Sequence, residues 1–162
     1  MAYTGVERLL LAADFRFLDF ANADGFRQSG FDATGAVRGL GWDSIFAVSL
    51  GAQYELTDCT SVRLGYSFNQ NPIPDSQSSF NVASPTILEH TIYVGASYKV
   101  SNALSLSATY LHAFQNEIEG PLVLAGFGAI PGSSIRNSTS VDAILIGGSV
   151  RFGSCASAER AH

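Results

Sequence analysis

The feature that most constrains this chain is a period-two alternation of apolar and polar residues, which recurs in six long segments. In the clearest segment every second residue is apolar: Phe46, Val48, Leu50, Ala52, Tyr54 and Leu56. A period of two places such residues on one face of a β-strand. The six predicted strands lie near residues 6–20, 42–56, 60–70, 89–100, 104–114 and 141–152. They are about 11 to 16 residues long, whereas soluble strands usually have about 5 or 6 and a tilted strand crosses a bilayer with about 9 to 11. The length favours membrane-spanning strands.

Every proline lies outside these segments. The prolines are Pro72, Pro74, Pro85, Pro121 and Pro131. Proline has no backbone N–H to donate to a neighbouring strand, so it is excluded from the interior of a sheet. This distribution supports the assignment of all six segments to a hydrogen-bonded sheet.

The predicted connections alternate between short and long. Thr57–Cys59 and Ser101–Ala103 are tight turns, whereas Ala21–Gly41, Asn71–Leu88 and Gln115–Ser140 are long loops. Short periplasmic turns and long extracellular loops are typical of outer-membrane barrels. This pattern predicts that both ends of the segment 1–152 lie on the periplasmic side, followed by a flexible tail at 153–162.

The composition supports a membrane protein that spans with strands. Charged residues make up only 14% of the 162 residues, against about 25% in soluble domains. No stretch approaches the roughly 20 apolar residues of a transmembrane helix. The net charge of −5 argues against a nucleic-acid partner. Residues 1–7 lack the pattern of a signal peptide, so a bacterial outer-membrane location implies a fragment or a start upstream of Met1.

Six strands are too few for a closed barrel in one chain, because single-chain bacterial barrels begin at eight. An open sheet would leave unpaired backbone groups in lipid. Three explanations remain open: the chain is part of a larger barrel, several chains share one barrel, or the alternation misses a hairpin. The first is favoured.

Several motifs resemble one family of outer-membrane proteins. The run WDSIFAVSLGAQYELTDCTSVRLGYSFNQNPIPD (Trp42–Asp75) resembles the C-terminal part of the FadL-type transporters. The shared pattern is a Trp-Asp pair, L-G-A-x-Y, a tight turn, R-x-G-Y and a proline-containing loop. The runs IYVGASYK (Ile92–Lys99) and LSLSATYLHAF (104–114) are similar to the next hairpin of the family, and LAADFRFLDF (Leu11–Phe20) to the preceding strand.

The resemblance implies both a fold and a function. It implies a 14-stranded antiparallel β-barrel, all-β in class, to which this chain contributes the last six strands of the wall. It also implies passive transport of a hydrophobic small molecule, a fatty acid or an aromatic hydrocarbon, across the bacterial outer membrane. The implied partners are this ligand, membrane lipid and lipopolysaccharide, and the remaining strands from a missing N-terminal region or from other chains. The plug of the family and the kinked strand of its lateral exit have no counterpart here.

Charged residues in the strands fall on the polar faces. Because a lipid-facing Arg or Lys at the bilayer midplane costs about 2–4 kcal/mol, these residues should face the lumen and form a lattice of salt bridges and hydrogen bonds. They are Asp14, Arg16, Glu55, Arg63, Lys99 and Arg151.

The long loop after the fifth predicted strand contains the apolar run GPLVLAGFGAIPG at residues 120–132. An exposed apolar patch often marks a binding surface. Leu122, Leu124 and Phe127 are therefore candidate ligand-binding residues, and packing on the barrel rim is the alternative.

No pattern in the sequence indicates an enzyme, a cofactor or a metal site. His90 and His112 lie near strand ends without ligand spacing to a carboxylate or a cysteine. Cys59 and Cys155 are both assigned to the oxidising periplasmic side, where they could pair or remain as thiols. Two functional alternatives stay open: a structural or adhesive outer-membrane barrel, and a soluble lipocalin-like barrel that binds a ligand inside.

Overall fold

The computed structural model describes residues 1–152 and shows the wall of an open antiparallel β-barrel. Seven strands form one sheet in the order β1–β2–β3–β4–β5–β6–β9, and β7 and β8 form a separate small hairpin. The strands are β1 (Ala2–Val6), β2 (Leu9–Leu18), β3 (Ile45–Glu55), β4 (Thr60–Asn69), β5 (His90–Lys99), β6 (Leu104–Gly120), β7 (Val123–Leu124), β8 (Gly128–Ala129) and β9 (Ile135–Val150). The predicted fold class is confirmed.

The strand register joins the alternating residues into two continuous faces. Leu50 of β3, for example, lies opposite Ala13 of β2 and Tyr66 of β4. We call the resulting faces the apolar face and the polar face. The apolar face comprises Leu11, Phe15, Phe17, Phe46, Val48, Leu50, Tyr54, Leu64, Tyr66, Ile92, Val94, Tyr98, Leu106, Tyr110, Ile144 and Ile146, and the polar face includes Asp14, Ser49, Gln53, Arg63, Ser67, Thr91, Ser97, Ser107 and Ser149.

The first predicted strand, near residues 6–20, is in fact a hairpin. β1 and β2 pair antiparallel around a two-residue turn at Glu7 and Arg8. Arg8 adopts a φ of +62°, a conformation that favours glycine or asparagine. Because neither residue type marks this turn, the alternation alone gave no sign of the hairpin.

The predicted loop 115–140 is also wrong at both of its ends. β6 continues to Gly120 and β9 begins at Ile135, so the two strands extend well beyond their neighbours. The register shifts between Ala113 and Asn116, where a β-bulge puts an extra residue into β6. The bulge changes which residues face the polar side, and the period-two pattern therefore breaks although the strand continues.

The two longest connections fold over the polar face at the end of the sheet opposite the short turns. We call residues 19–44 and 70–89 the loop cap; it includes the 3₁₀ helices Phe20–Asn22 and Asp75–Phe80. Its buried apolar core comprises Trp42, Ile73, Ile87 and Ile118, with Phe20, Phe26 and Leu40 packed against it. Beneath it are the buried polar-face residues Ala47, Ser67, Thr91 and Ala113.

Hydrogen bonds to buried asparagines hold the cap together. The indole Nε1 of Trp42 donates to Oδ1 of Asn81 at 2.7 Å, and Nδ2 of Asn81 donates to the carbonyls of Leu40 and Gln77. Asn137 of β9 donates to the carbonyl of Ser78 at 2.9 Å. Buried polar groups matched in this way fix one arrangement of the loops. The cap is therefore an ordered structure that rests on the sheet.

An acidic side chain ties the start of the first cap segment to its end, next to β3. Ser44 Oγ donates to Asp19 Oδ1 at 2.6 Å, and Asn22 Nδ2 donates to the same carboxylate. These hydrogen bonds, that of Ser44 first, lower the pKa of Asp19 from its ordinary value. The contribution of Asp19 to stability is present at neutral pH and decreases as the pH falls through this lowered pKa.

Among residues 1–152, no helix is long and apolar enough to cross a membrane. Cys59 is exposed in the turn between β3 and β4. Cys155 and the predicted tail lie outside the described residues, so the Cys59–Cys155 pairing stays a prediction.

Replacement of Ile87 by alanine should destabilise the cap selectively. Ile87 has no exposed surface in the cap core, and such truncations cost about 2–5 kcal/mol. Hydrogen exchange should become faster in residues 71–88 while β3 to β5 keep their protection. Val82→Ala is the matched control, because Val82 is 54% exposed. Equal exchange in the two variants would contradict the cap as a packed unit.

Candidate functional site

Aromatic side chains on the apolar face cluster in two bands. The upper band, near the cap, contains Phe15, Phe17, Phe46, Tyr66, Phe68, Tyr110 and Phe114, and the lower band, near the short turns, contains Tyr54 and Tyr98. Phe17 and Phe46 pack with ring centroids 5.0 Å apart. Between the bands the face is aliphatic.

The spacing of the bands matches the hydrocarbon thickness of a membrane. Eight residues separate Phe46 from Tyr54 on β3, which is about 27 Å along the strand. With the usual tilt of about 35–45°, this gives about 20 Å, close to the apolar band of about 25 Å on outer-membrane barrels. The geometry fits aromatic girdles at two membrane interfaces.

The polar face carries a groove of about 360 Å³ near the short turns. It brings together three of the predicted charged residues, Glu55, Arg63 and Lys99, from β3, β4 and β5. Ser97, Ser105, Ser107 and Ser149 add hydroxyl groups to the same wall. The groove is hydrophilic, as the wall of a water-accessible lumen would be.

Arg63 connects three neighbouring strands across this groove. Its Nε donates to Oε1 of Gln53 on β3 at 2.7 Å, and its Nη1 donates to Oγ of Ser97 on β5 at 2.6 Å. Lys99 Nζ donates to the carbonyl of Asp58 in the β3–β4 turn at 3.2 Å. These contacts tie side chains across the strands in addition to the backbone ladder.

The remaining predicted charges are not joined to this group. Asp14 and Arg16 form an ion pair at 2.8 Å within β2, farther toward the cap. Arg151 follows β9, and its backbone N–H donates to the carbonyl of Ala103. The strongest inter-turn ion pair is one that sequence reasoning missed, Arg8 with Asp58 at 3.1 Å. The predicted lattice is therefore mainly a set of hydrogen bonds across strands.

The candidate ligand-binding residues lie on the β7–β8 hairpin, beyond the upper band. The hairpin is tied to the cap because Val123 N donates to Oγ of Ser79 at 3.0 Å. Leu122 is half-buried, whereas Leu124 is 44% and Phe127 is 82% exposed. Leu124 and Phe127 thus present apolar surface to solvent.

A second polar cluster, which the sequence reasoning missed, lies on the apolar face. Asp142 of β9 lies beside His112 and Tyr110 of β6, and His112 Nδ1 is 2.8 Å from Asp142 Oδ1. The signal in the sequence was an acid at an apolar position of the alternation, two residues before Ile144. Among residues 1–152, no group of three or more His, Cys, Asp or Glu side chains has the arrangement of a metal site.

A shallow apolar groove of about 630 Å³ crosses the apolar face of β1 to β4. Its floor is formed by small residues, Ala13 and Ala52, and its sides by Leu11, Leu50 and Leu64. The groove arises because small apolar side chains lie between larger ones on this surface.

Substitution of Arg63 by methionine should lower stability more than the same change at Arg16. Arg63→Met removes two hydrogen bonds between strands and should reduce the free energy of unfolding by about 1–2 kcal/mol. Arg16→Met removes an exposed pair within one strand and should have little effect. Urea unfolding of folded protein in lipid or detergent measures both. A larger loss for Arg16→Met would contradict the role given to Arg63.

Comparisons with known proteins support the fold. No protein-family model matches the chain, and no curated protein matches it. Among solved structures, the chain is similar to the crystal structure of a Pseudomonas aeruginosa FadL homologue, with a TM-score of 0.61 and 16% sequence identity. The similarity covers 91% of this chain but only 32% of that chain. The chain has the fold of about one third of a FadL-type barrel.

Proposed function

We propose that this chain forms part of the wall of a bacterial outer-membrane barrel that carries hydrophobic small molecules passively across the membrane. The observation that carries the proposal is the contrast between the two faces. The apolar face is exposed from β2 to β9, with Ile144 73% and Ile146 84% exposed, whereas the loop cap covers the end of the polar face opposite the short turns. An apolar surface this large needs lipid, and a polar face under loops fits a lumen.

The same contrast argues against a soluble lipocalin-like barrel. In such a barrel the apolar face lies inside and the polar face meets water. Here the loops that would close the barrel mouth fold over the polar face, where Ser67 and Thr91 become buried. The direction of the loops supports the polar face as the inner one.

The open edges of the sheet restrict what completes the barrel. All neighbouring strands are antiparallel, so β1 and β9, the first and last of seven, both run toward the short turns. A strand that pairs antiparallel with either edge must run toward the cap. Closure by antiparallel pairs therefore needs an odd number of further strands, which gives an even total, as in bacterial barrels.

A second copy of this chain is unsuited to complete the barrel. In the same orientation, its two edge strands would also run toward the short turns and would meet β1 and β9 in parallel. An inverted copy would place its long loops on the opposite side of the membrane. We therefore propose that strands of a different sequence, from the same protein or from another chain, complete the wall.

The exposed hairpin tip is the proposed site of ligand capture. Leu124 and Phe127 lie beyond the upper aromatic band, on the side of the long loops, where a hydrophobic molecule would arrive from outside. Burial of apolar surface by such side chains can withdraw a ligand from water. The half-buried Leu122 would support the hairpin from within.

Arginine substitutions at adjacent positions of β6 should separate the two faces. Leu106→Arg puts a charge on the apolar face beside Tyr98 and should impair folding into bilayers, at a cost of about 1 kcal/mol or more, because a lipid-facing arginine costs about 0–1 kcal/mol at the interface and about 2–4 kcal/mol at the midplane. Ser107→Arg points into the groove of the polar face and should be tolerated. Folding efficiency into lipid vesicles gives the comparison. Equal tolerance of both variants would contradict the membrane assignment.

Replacement of Leu124 and Phe127 by serine should reduce uptake of a labelled fatty acid or aromatic hydrocarbon by cells that make the complete protein. The reason is the loss of most of the exposed apolar surface of the hairpin. Val82→Ser, an exposed change in the cap, is the control. Unchanged uptake with normal barrel assembly would reject the capture site. Absence of uptake even with the unsubstituted protein would favour a structural or adhesive barrel.

A further inference from the structure

Five polar side chains form hydrogen-bonded groups on the apolar face, at the level of the upper aromatic band. Tyr110 Oη donates to Asp142 Oδ1 at 2.5 Å, and His112 Nδ1 donates to the same oxygen at 2.8 Å. On the neighbouring strands, Tyr66 Oη and His90 Nδ1 share a hydrogen bond of 2.7 Å. We call these five residues the outward cluster.

Asp142 is the unusual member of the outward cluster. It continues the row of Ile144 and Ile146 on β9, and its side chain is 61% exposed. A carboxylate on a lipid-facing surface is costly in hydrocarbon and is stable only where polar groups surround it. Asp142 lies eight residues before Val150 at the lower end of β9, the same separation as between Phe46 and Tyr54 on β3, so it falls near the upper membrane interface.

The cluster leaves several polar atoms available to a ligand. Among residues 1–152, Oδ2 of Asp142 and Nε2 of both histidines have no hydrogen-bond partner. Tyr66, Ile92, His112 and Asp142 occupy one register row across four strands, which is about 14 Å wide. The surface therefore offers acceptors and donors together over the width of a disaccharide head group.

Aromatic rings flank these polar atoms. The ring of Phe68 lies 5.1 Å from that of His90, and the ring of Phe114 lies 4.7 Å from that of His112. A ligand that bears hydroxyl groups on a partly apolar ring matches this combination, since each hydroxyl can both donate and accept. The negative charge of Asp142 disfavours a bare phosphate.

We propose that the outward cluster binds the sugar head group of a glycolipid in the outer leaflet. The inference rests on the proposed function, because it requires that the apolar face meets lipid. Asp142 accepts a hydrogen bond from a sugar hydroxyl, the histidine Nε2 atoms contact neighbouring hydroxyls, and the aromatic rings cover the apolar side of the sugar. The site thereby orients this wall relative to the outer leaflet.

The test measures lipid selectivity of the complete protein in mixed bilayers. Three lipids with identical acyl chains compete: a diglucosyl diacylglycerol (the glucosyl lipid), a phosphatidylcholine and a phosphatidic acid. Mass spectrometry of the protein with its retained lipids gives the preference. We expect the glucosyl lipid to be preferred, and Asp142→Asn to reduce that preference about fivefold to tenfold, the difference between a charge-assisted and a neutral hydrogen bond.

A second variant and a control make the result specific. His90→Phe keeps an aromatic ring and should also reduce the preference, whereas Asp14→Asn changes a carboxylate on the polar face and should leave it unchanged. An inserted protein that shows no preference for the glucosyl lipid, or prefers the phosphatidic acid, would overturn this inference alone. A protein that stays out of bilayers would contradict the proposed function as well.

Discussion

Under the proposed membrane assignment, the structure depends on one constraint: every backbone N–H and C=O inside the bilayer must be paired. Lipid offers these groups no partner, so strands that span it must satisfy one another across long ladders. The ladders from β2 to β6 are continuous over nine or ten residue pairs each. The exclusion of proline from the sheet follows from the same requirement, and so does the need for further strands at β1 and β9.

The residue types on each face of the sheet match the solvent that this face would meet. Aliphatic side chains between two aromatic bands fit the hydrocarbon layer, and Arg63, Lys99 and the serines fit a wet interior. In the proposed membrane orientation the cap lies above the bilayer and rests on polar residues, so it needs an ordinary core, in which Trp42, Ile73 and Ile87 are buried. The chain thus combines a sheet that exposes its apolar face with a loop cap that buries its apolar side chains.

Structural features that depend on the period-two alternation could be predicted from the sequence, whereas features that depend on local backbone geometry could not. Central strands such as β3 and β4 were predictable because their alternation is unbroken from end to end. The hairpin at Arg8 was not, because an arginine occupies a turn position that glycine usually marks. The extension of β6 was missed because the bulge after Ala113 reverses the alternation.

The candidate sites also include some features that the sequence predicts and others that it does not. The shared face of Glu55, Arg63 and Lys99 was predictable from the alternation, but their hydrogen bonds depend on the register between strands, which no single segment contains. The cluster of Asp142 with Tyr110 and His112 brings together residues about 30 positions apart in the chain and depends on the pairing of β6 with β9. The only sign of this cluster in the sequence was Asp142, an acidic residue at an apolar position of the alternation.

The central claim, that the apolar face meets lipid and the polar face does not, is tested most directly by an accessibility scan along β3. Cys59 and Cys155 are first replaced by serine, and a spin label is then placed at each position from 46 to 54 in turn in bilayer-inserted protein. Collision rates with oxygen, which concentrates in lipid, and with a water-soluble nickel complex are compared. The account predicts a period of two, with Val48, Leu50 and Ala52 accessible to oxygen and Ser49, Gly51 and Gln53 to nickel. An absence of this period, or the opposite phase, would contradict it.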